Sequence, residues 1–420
     1  MACIHIVLRD GFKFQFRWMT QTSSTGTKAL SGDRKPASQV TGKGCQDSWP
    51  YNESKTWGAL VTTVVVSSPS TSKAILKEHD SLFCDRKHHE FSLVWLPVST
   101  LWRSYRKICN MHIFNRQKLD ASQDLRRKKI KDLLSYVEEN CRAGKAIDFG
   151  QAAFNTSINL LSNTIFSIDL VHPNERKFKD TVWGMMEEAG KPNLSDHFPL
   201  LKKLHLQGTS HHNTLYAGEM FEKRQEHGCS ISTESKDMLD TVLNIIQDKS
   251  ENVVLINRVH IQDLLIAGND TASITMEWAM AELLHNPEAL SKVKLELEQI
   301  VSKGNPIEES DITRLPYLQA VIKETFRLYP TVPLLVPRKA KRFLGSDVDF
   351  KGQNFELIPF GAGRRICPGL SLAIRMLYLM LGSLINSFDW MLEDENMDME
   401  EKFGPTIKKA KPLRTIPIAI

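Results

Sequence analysis

The most constraining feature of this 420-residue sequence is a long central stretch, HIQDLLIAGNDTASITMEWAMAELLHNP, which begins at His260. Its apolar residues fall on nearly every side of a helix, and such a helix is stable only when other elements surround it. Asn286 and Pro287 mark its end, because a proline disfavours the helical conformation of the preceding residue. The stretch therefore predicts a buried helix, whose apolar pattern the residues AGNDT interrupt.

Further helices and one strand are predicted around this stretch. Apolar residues at three-and-four spacing predict helices in STSKAILKEHDSLFCDR, STLWRSYRKICNMHIF, QDLRRKKIKDLLSYVEENCRAG, ALSKVKLELEQIV and LPYLQAVIKETFRLYP. The β-branched run ALVTTVVVSSP predicts a strand. Strand patterns are sparse after residue 70, so the predicted fold class is mainly α with a small β portion.

The N-terminal segment 1–57 is predicted to be irregular and to lie outside the main domain. Residues 20–57 are rich in Ser, Thr, Gly and Lys without periodicity, and the first residues carry charges that make a poor signal peptide. No window offers 18 or more apolar residues, so no transmembrane span is expected. Order is expected from Gly58, with residues 58–420 forming one domain.

Charge and cysteine content narrow the class of protein. A net charge of +5 is mild for this length and does not indicate a nucleic-acid-binding protein, although a local basic face could dock an acidic partner. The seven cysteines are odd in number and irregularly spaced, which argues against a disulfide framework and against zinc. Six of them are expected to be small buried hydrophobes or neutral thiols.

The seventh, Cys367, lies in the unusual loop PFGAGRRICPGLSLA. Arg364 and Arg365, together with the N-terminus of the following helix, supply positive potential that stabilises a thiolate. Glycines 361, 363 and 369 permit turns and allow backbone amides to approach the sulfur. On chemistry alone the loop is a haem-ligand loop, a reactive redox cysteine or an anion-binding turn.

The spacing Phe-x-x-Gly-x-Arg-x-Cys-x-Gly in this loop resembles the haem-binding signature of the cytochrome P450 family. The resemblance implies a haem b cofactor with Cys367 as the proximal iron ligand and Arg365 as a contact of a haem propionate. It places Phe360, Gly361 and Gly369 in the cofactor-binding loop.

Two further pairs of residues could belong to the site, but each also has an ordinary structural interpretation. Glu324 and Arg327 stand one helical turn apart, and most such pairs lie on a solvated surface. Trp102 and Arg106 stand four residues apart, and the usual interpretation of such a pair is a core tryptophan beside an exposed arginine. Beside the cysteine loop, they resemble the family's E-x-x-R and W-x-x-x-R motifs.

The resemblance gives these motifs distinct roles. It implies that the E-x-x-R pair is buried and structural, with Arg342 as its third member. It also implies that the W-x-x-x-R residues and Arg338 contact the haem propionates.

The sequence AGNDT within the central stretch is the catalytic candidate. An acid and a hydroxyl in an apolar helix need partners, because burying them unpaired costs several kcal/mol. Ala267 and Gly268 leave room for a flat group, and Asp270 and Thr271 are expected to face it. The alternative is that Thr271 bonds back to the carbonyl four residues earlier. The family's A-G-x-D-T motif is similar, and the resemblance implies that both residues relay protons during oxygen activation.

The intervening segments resemble plant members of the geraniol 8-hydroxylase and ferruginol-oxidase type. The resemblance implies a monooxygenase of small, apolar, terpenoid-like substrates, using O2 and electrons from NADPH through NADPH–cytochrome P450 reductase docked near Arg364. Two alternatives stay open: a haem-thiolate isomerase or dehydratase without a reductase, and an inert, haem-free remnant.

The sequence also departs from the family pattern. The resemblance implies a location at the cytosolic face of the endoplasmic reticulum membrane, where relatives are held by an N-terminal hydrophobic anchor. That anchor is not seen here, and without it the protein would be soluble or peripheral. A substrate loop is shortened, and the largest gap, a missing meander, is expected between Ala340 and Lys341. The domain is therefore expected to be an incomplete cytochrome P450 fold.

Overall fold

The structure is a computed structural model. It describes residues 2–8, 51–54, 62–66, 69–80, 98–172, 258–301, 303–332, 335–337, 357–394, 396–402 and 406–420, together with residues 94, 96, 179–180, 182–184, 353 and 355.

The described helices form most of the fold. In chain order they are α1 Pro69–Lys73, α2 Thr100–Ile108, α3 Arg116–Ala121, α4 Gln123–Arg142, α5 Phe149–Phe166, α6 Arg258–His285, α7 Pro287–Ile300, α8 Pro316–Leu328 and α9 Leu370–Ser387. Helices α1 and α2 each continue into a π-helical turn, Ala74–Glu78 and Cys109–Ile113. The predicted helices that fall on these residues are confirmed.

Helix α6 is the predicted buried helix, and it runs without a break through the AGNDT residues. Met276, Trp278 and Met280 are completely buried along it. It packs along α5 and also contacts α8 and α9. Its all-round apolar composition follows from this position, because each of its sides except one short open stretch meets another element.

Helix α9 is 18 residues long and apolar enough to cross a membrane by length and composition. About two thirds of it is buried inside the protein, where it contacts α4, α6, α7 and α8. A core helix of a soluble protein has the same character.

The largest described sheet has four strands, β1 Ala2–Leu8, β2 Tyr51–Ser54, β3 Thr62–Val66 and β5 Leu335–Pro337, in the order β2-β3-β1-β5. Strand β1 runs parallel to both β3 and β5, and β2 is antiparallel to β3. The predicted strand near residue 62 is confirmed.

The prediction that residues 1–57 are irregular is wrong for β1 and β2. The segment ACIHIVL is rich in β-branched residues, and it gains backbone partners from β3 and β5 that lie far away in sequence.

Two further sheets consist of strands that the sparse strand patterns did not predict. Strands β4 Ile147–Asp148, β6 Phe388–Leu392 and β9 Arg414–Ala419 form an antiparallel sheet in the order β4-β9-β6. Two short strands, β7 Glu401–Lys402 and β8 Lys408–Lys409, pair with each other in a separate antiparallel sheet. Strands β4, β7 and β8 have two residues each, which is too few to produce a periodic pattern, while β6 and β9 have five and six residues and gain their partners from segments remote in sequence.

Candidate haem-thiolate site

The cysteine loop between residues 360 and 370 is a compact turn. Gly361 and Gly363 have φ of 70° and 66°, in the left-handed region that favours glycine. A 3-10 turn follows at Gly363–Arg365, and the amide of Cys367 donates to the carbonyl of Phe360 at 2.9 Å. The loop therefore closes on itself before α9 begins at Leu370.

Gly363 has no room for a side chain in this loop. A Cβ at this residue would lie 1.9 Å from the carbonyl oxygen of Leu76, on the π-helical turn after α1. Both the left-handed φ and the close backbone contact therefore exclude a side chain.

We expect Gly363→Ala to displace the loop from the Leu76 turn and to reduce haem incorporation severely. The ratio of haem absorbance to protein absorbance after purification measures the effect. The matched control is Gly304→Ala, which also has a positive φ of 80° but nothing within 4 Å of an added Cβ. Equal haem content in the two variants would contradict the expected steric clash.

The electrostatic environment of Cys367 is mixed. Burial raises the pKa of its thiol, while hydrogen bonds from the amides of Gly369 and Leu370 and the charge of Arg106 lower that pKa. Among these causes burial is the largest. The site therefore favours a thiolate only when a further positive charge, such as a metal ion, is bound.

The arginines adjacent to Cys367 in sequence point elsewhere. Arg364 pairs with Asp80 at 3.1 Å, and Arg365 donates to the carbonyl of Leu96 at 2.6 Å. We expected Arg364 and Arg365 to supply positive potential to the sulfur, and this expectation is corrected. The arginine whose charge lowers the pKa of the Cys367 thiol is Arg106, from α2. A turn directs successive side chains to different sides, whereas a distant helix can present one directly.

Trp102 joins two of the predicted propionate contacts. Ser99 caps α2 by accepting a hydrogen bond from the amide of Trp102 at 3.2 Å, which fixes where the helix starts. The guanidinium carbons of Arg106 and Arg365 lie 5.7 Å and 5.0 Å from the centroid of the buried indole. Residues from α2 and from the cysteine loop thus converge, as cation–π contacts require.

Phe360 connects the cysteine loop to α8. Its ring meets that of Phe326 edge-on, with centroids 5.3 Å apart and planes at 80°. This contact fixes the start of the loop against the helix that carries the E-x-x-R pair.

Glu324 and Arg327 form the predicted ion pair, with hydrogen bonds of 2.6 and 2.9 Å. Their side chains are 41% and 30% exposed, so the prediction that the pair is buried is wrong in this structure. Helix α8 turns other residues to the core, including Ile322 and Phe326, and the pair lies on its flank. The predicted partners Arg338 and Arg342 lie outside the described residues.

The AGNDT segment of α6 has one open face. Ala267 and Gly268 are exposed, Thr271 is partly exposed, and the Thr271 hydroxyl donates to the carbonyl of Ala267 at 2.8 Å. This is the backbone contact considered as the alternative from the sequence. It leaves the lone pairs of the hydroxyl oxygen available on the open face.

Asp270 does not share that open face. Its side chain is 1% exposed, and its two carboxylate oxygens accept hydrogen bonds of 2.8 Å from the indole N–H of Trp183 and the hydroxyl of Thr406. The prediction that Asp270 and Thr271 face one group together is therefore corrected. Consecutive helical residues point ~100° apart, so they can share a face only loosely.

Trp183 and Thr406 were missed by sequence reasoning. Neither belongs to a motif of fixed spacing, and they lie 87 and 136 residues from Asp270 in the chain. A buried acid predicts that partners exist but does not identify them.

The residues present fit a haem. The amides of Gly369 and Leu370 lower the pKa of the Cys367 thiol, and a Cβ at position 369 would lie 3.9 Å from the sulfur, so the glycine keeps the space beside the sulfur open. A haem propionate would be matched by the guanidinium groups gathered at Trp102, and a flat ring by the small residues on the open face of α6.

Comparison with known proteins gives one family. The family model for cytochrome P450 matches residues 56–342 and 339–415. The geraniol 8-hydroxylase of Catharanthus roseus is 44% identical over 427 positions, which cover 85% of this chain and 85% of that protein. The drimenol monooxygenase of Persicaria hydropiper is 44% identical over 420 positions, which cover 85% of this chain and 84% of its own.

A solved zebra fish cytochrome P450 with progesterone has the same fold. Its TM-score is 0.67 at 18% identity, covering 88% of this chain and 96% of that chain. The structural similarity supports the fold, and the family model and the plant relatives support membership. The chain belongs to the cytochrome P450 family of monooxygenases.

Proposed function

We propose that this chain binds haem through Cys367 and inserts one oxygen atom of O2 into a small, apolar, terpenoid-like substrate. The observation that carries the proposal is the closed glycine loop around Cys367. Two backbone amides and the charge of Arg106 lower the pKa of its thiol and so favour the thiolate. The names of the relatives, geraniol 8-hydroxylase and drimenol monooxygenase, support the substrate class. Bound haem would supply the oxygen-activating chemistry.

We assign the binding of the haem propionates and the proton relay to residues of this chain. Arg106 and Arg365, gathered at Trp102, and Arg338 hold the haem propionates. Thr271 donates its hydroxyl proton to the carbonyl of Ala267 and presents the hydroxyl oxygen on the open face of α6, where it can accept a proton for relay.

Other groups supply protons and support the site. Asp270 is the buried acid that supplies protons next to Thr271. Glu324 and Arg327, with Arg342, stabilise the adjoining part of the fold.

Electrons come from NADPH through NADPH–cytochrome P450 reductase in this proposal, which places the chain at the cytosolic face of the endoplasmic reticulum. A haem-thiolate isomerase or dehydratase would need neither a reductase nor a proton relay. The hydroxyl of Thr271 on the open face and the nearby acid favour the monooxygenase.

We also infer that this chain lacks a segment near residues 340 and 341. The two pieces of the family match meet at residues 339–342. The alignment with the Catharanthus enzyme spans 427 positions although it covers only 85% of this 420-residue chain, so this chain has gaps in it. An inert, haem-free remnant is the alternative that these gaps favour.

One experiment separates these possibilities. The full chain is expressed with a haem precursor, purified and mixed with NADPH–cytochrome P450 reductase, NADPH and geraniol as the probe substrate. We expect about one haem per chain and a hydroxylated product that requires both NADPH and reductase. Haem-free protein would support the remnant, and conversion of an organic peroxide without NADPH would support the isomerase.

A further inference from the structure

The carboxylate of Asp270 is held by two groups from other parts of the chain. Trp183, in the helical residues 182–184, donates to Oδ1, and Thr406, just before β8, donates to Oδ2, both at 2.8 Å. Thr406 is itself 7% exposed. The acid therefore lies at a junction of three chain segments.

Charged groups surround this junction. The ammonium groups of Lys179 and Lys408 lie 4.3 Å and 3.4 Å from the ring centroid of Trp183. Lys179 is 3% exposed and also interacts with the carboxylates of Asp148 and Glu277. The indole that holds Asp270 thus lies among positive charges, which favour the ionised carboxylate.

The two donors differ in what they can do. An indole N–H can only donate, whereas a hydroxyl both donates and accepts. Trp183 can therefore hold the Asp270 carboxylate but cannot pass it a proton. Thr406 can give its hydroxyl proton to Oδ2 while its oxygen takes a replacement proton from a solvent hydronium ion, which becomes water, so one proton is transferred and the hydroxyl is restored.

We propose that Trp183 and Thr406 are the positioning residues of Asp270: Trp183 holds the carboxylate off the open face of α6, and Thr406 is the group through which it exchanges its proton. This inference deepens the proposed function and rests on it for the reaction that uses the proton. The hydrogen-bonded arrangement itself does not depend on that reaction.

The arrangement has a signature in the pH dependence of stability. Burial raises the pKa of the Asp270 carboxyl, and the hydrogen bonds from Thr406 and Trp183 and the charges of Lys408 and Lys179 lower it. A carboxyl whose folded pKa is raised lowers stability as the pH rises from the unfolded to the folded pKa, and the loss is complete above the folded value. Removal of a donor raises the folded pKa further and enlarges that loss.

The test compares Thr406→Val, Thr406→Ser and Trp183→Phe with the parent chain. We expect the melting temperatures of T406V and W183F to fall further below the parent as the pH rises toward neutrality, while T406S follows the parent at every pH. A purely structural role would give a pH-independent decrease. That result, or an equal decrease for T406S, would overturn the proposal. W183F serves as the second variant should T406V fail to fold.

Turnover separates this inference from the proposed function. With reductase and NADPH, we expect T406V to divert a several-fold larger share of NADPH electrons to hydrogen peroxide, with T406S restoring product formation and W183F intermediate. An unchanged peroxide share in T406V would overturn the exchange role of Thr406. A pH signature without NADPH-dependent product in any variant would leave the positioning roles standing and reject the proposed function.

Discussion

Replacement of Cys367 by alanine is expected to abolish the absorbance of thiolate-ligated haem. The sulfur is the proposed iron ligand, and the amides of Gly369 and Leu370 and the charge of Arg106 lower the pKa of its thiol. Alanine has no atom that can bind iron, so any haem that remained would have a different axial ligand. The reduced, carbon-monoxide-bound spectrum measures the change through the Soret band of the thiolate complex.

Cys141→Ala is the matched control for this prediction. Cys141 is a partly buried free thiol near the end of α4. Its replacement is expected to leave the spectrum unchanged. A thiolate-type spectrum that persists in Cys367→Ala would reject the ligand assignment and direct attention to Cys109, whose thiol is also buried and within electrostatic range of Arg106.

The central helix could be predicted from the sequence because its pattern is local. Apolar residues on all sides predicted a buried helix, and Asn286 and Pro287 predicted its end; the helix ends one residue earlier, at His285. Strand β3 followed from a β-branched run. Strand β1 could not be predicted in this way, because its partners β3 and β5 are remote in sequence and pairing, not local pattern, makes it a strand.

The site shows the same division. The position of Cys367 in a glycine loop could be predicted, since left-handed turns require glycine. The direction of charged side chains could not. Arg364 is three residues from the sulfur yet pairs with Asp80, while Arg106 approaches from α2. Closeness in sequence therefore predicted the wrong arginine: the charge that acts on the Cys367 sulfur belongs to Arg106 and not to Arg364.

Glu309→Gln is expected to destabilise the protein strongly, because Glu309 neutralises a buried arginine. Arg126, on α4, is completely buried, and its Nε lies 2.5 Å from Oε1 of Glu309. Arg375, on α9, lies 2.7 Å from Oε2 and pairs in turn with Asp120 at the end of α3. Glu309 thus joins three helices through two guanidinium groups.

Loss of this carboxylate charge leaves Arg126 buried with neutral partners, the Ser122 hydroxyl and the Leu119 carbonyl. Removing one member of a buried ion pair costs about 3–5 kcal/mol, and the amide oxygen of glutamine recovers part of one hydrogen bond, so we expect about 3 kcal/mol. The free energy of unfolding from denaturant titration of the purified full chain measures the effect.

The adjacent residue provides a matched control. Glu308 pairs with Arg127 at 2.8 Å, but these side chains are 39% and 50% exposed. An exposed pair contributes about 0–1 kcal/mol, so Glu308→Gln should shift the unfolding midpoint only slightly. The two variants differ by one position and make the same chemical change, so the difference between them isolates the effect of burial. Equal midpoints would mean that water reaches Arg126 and that the α3–α4–α9 junction is not held by charge.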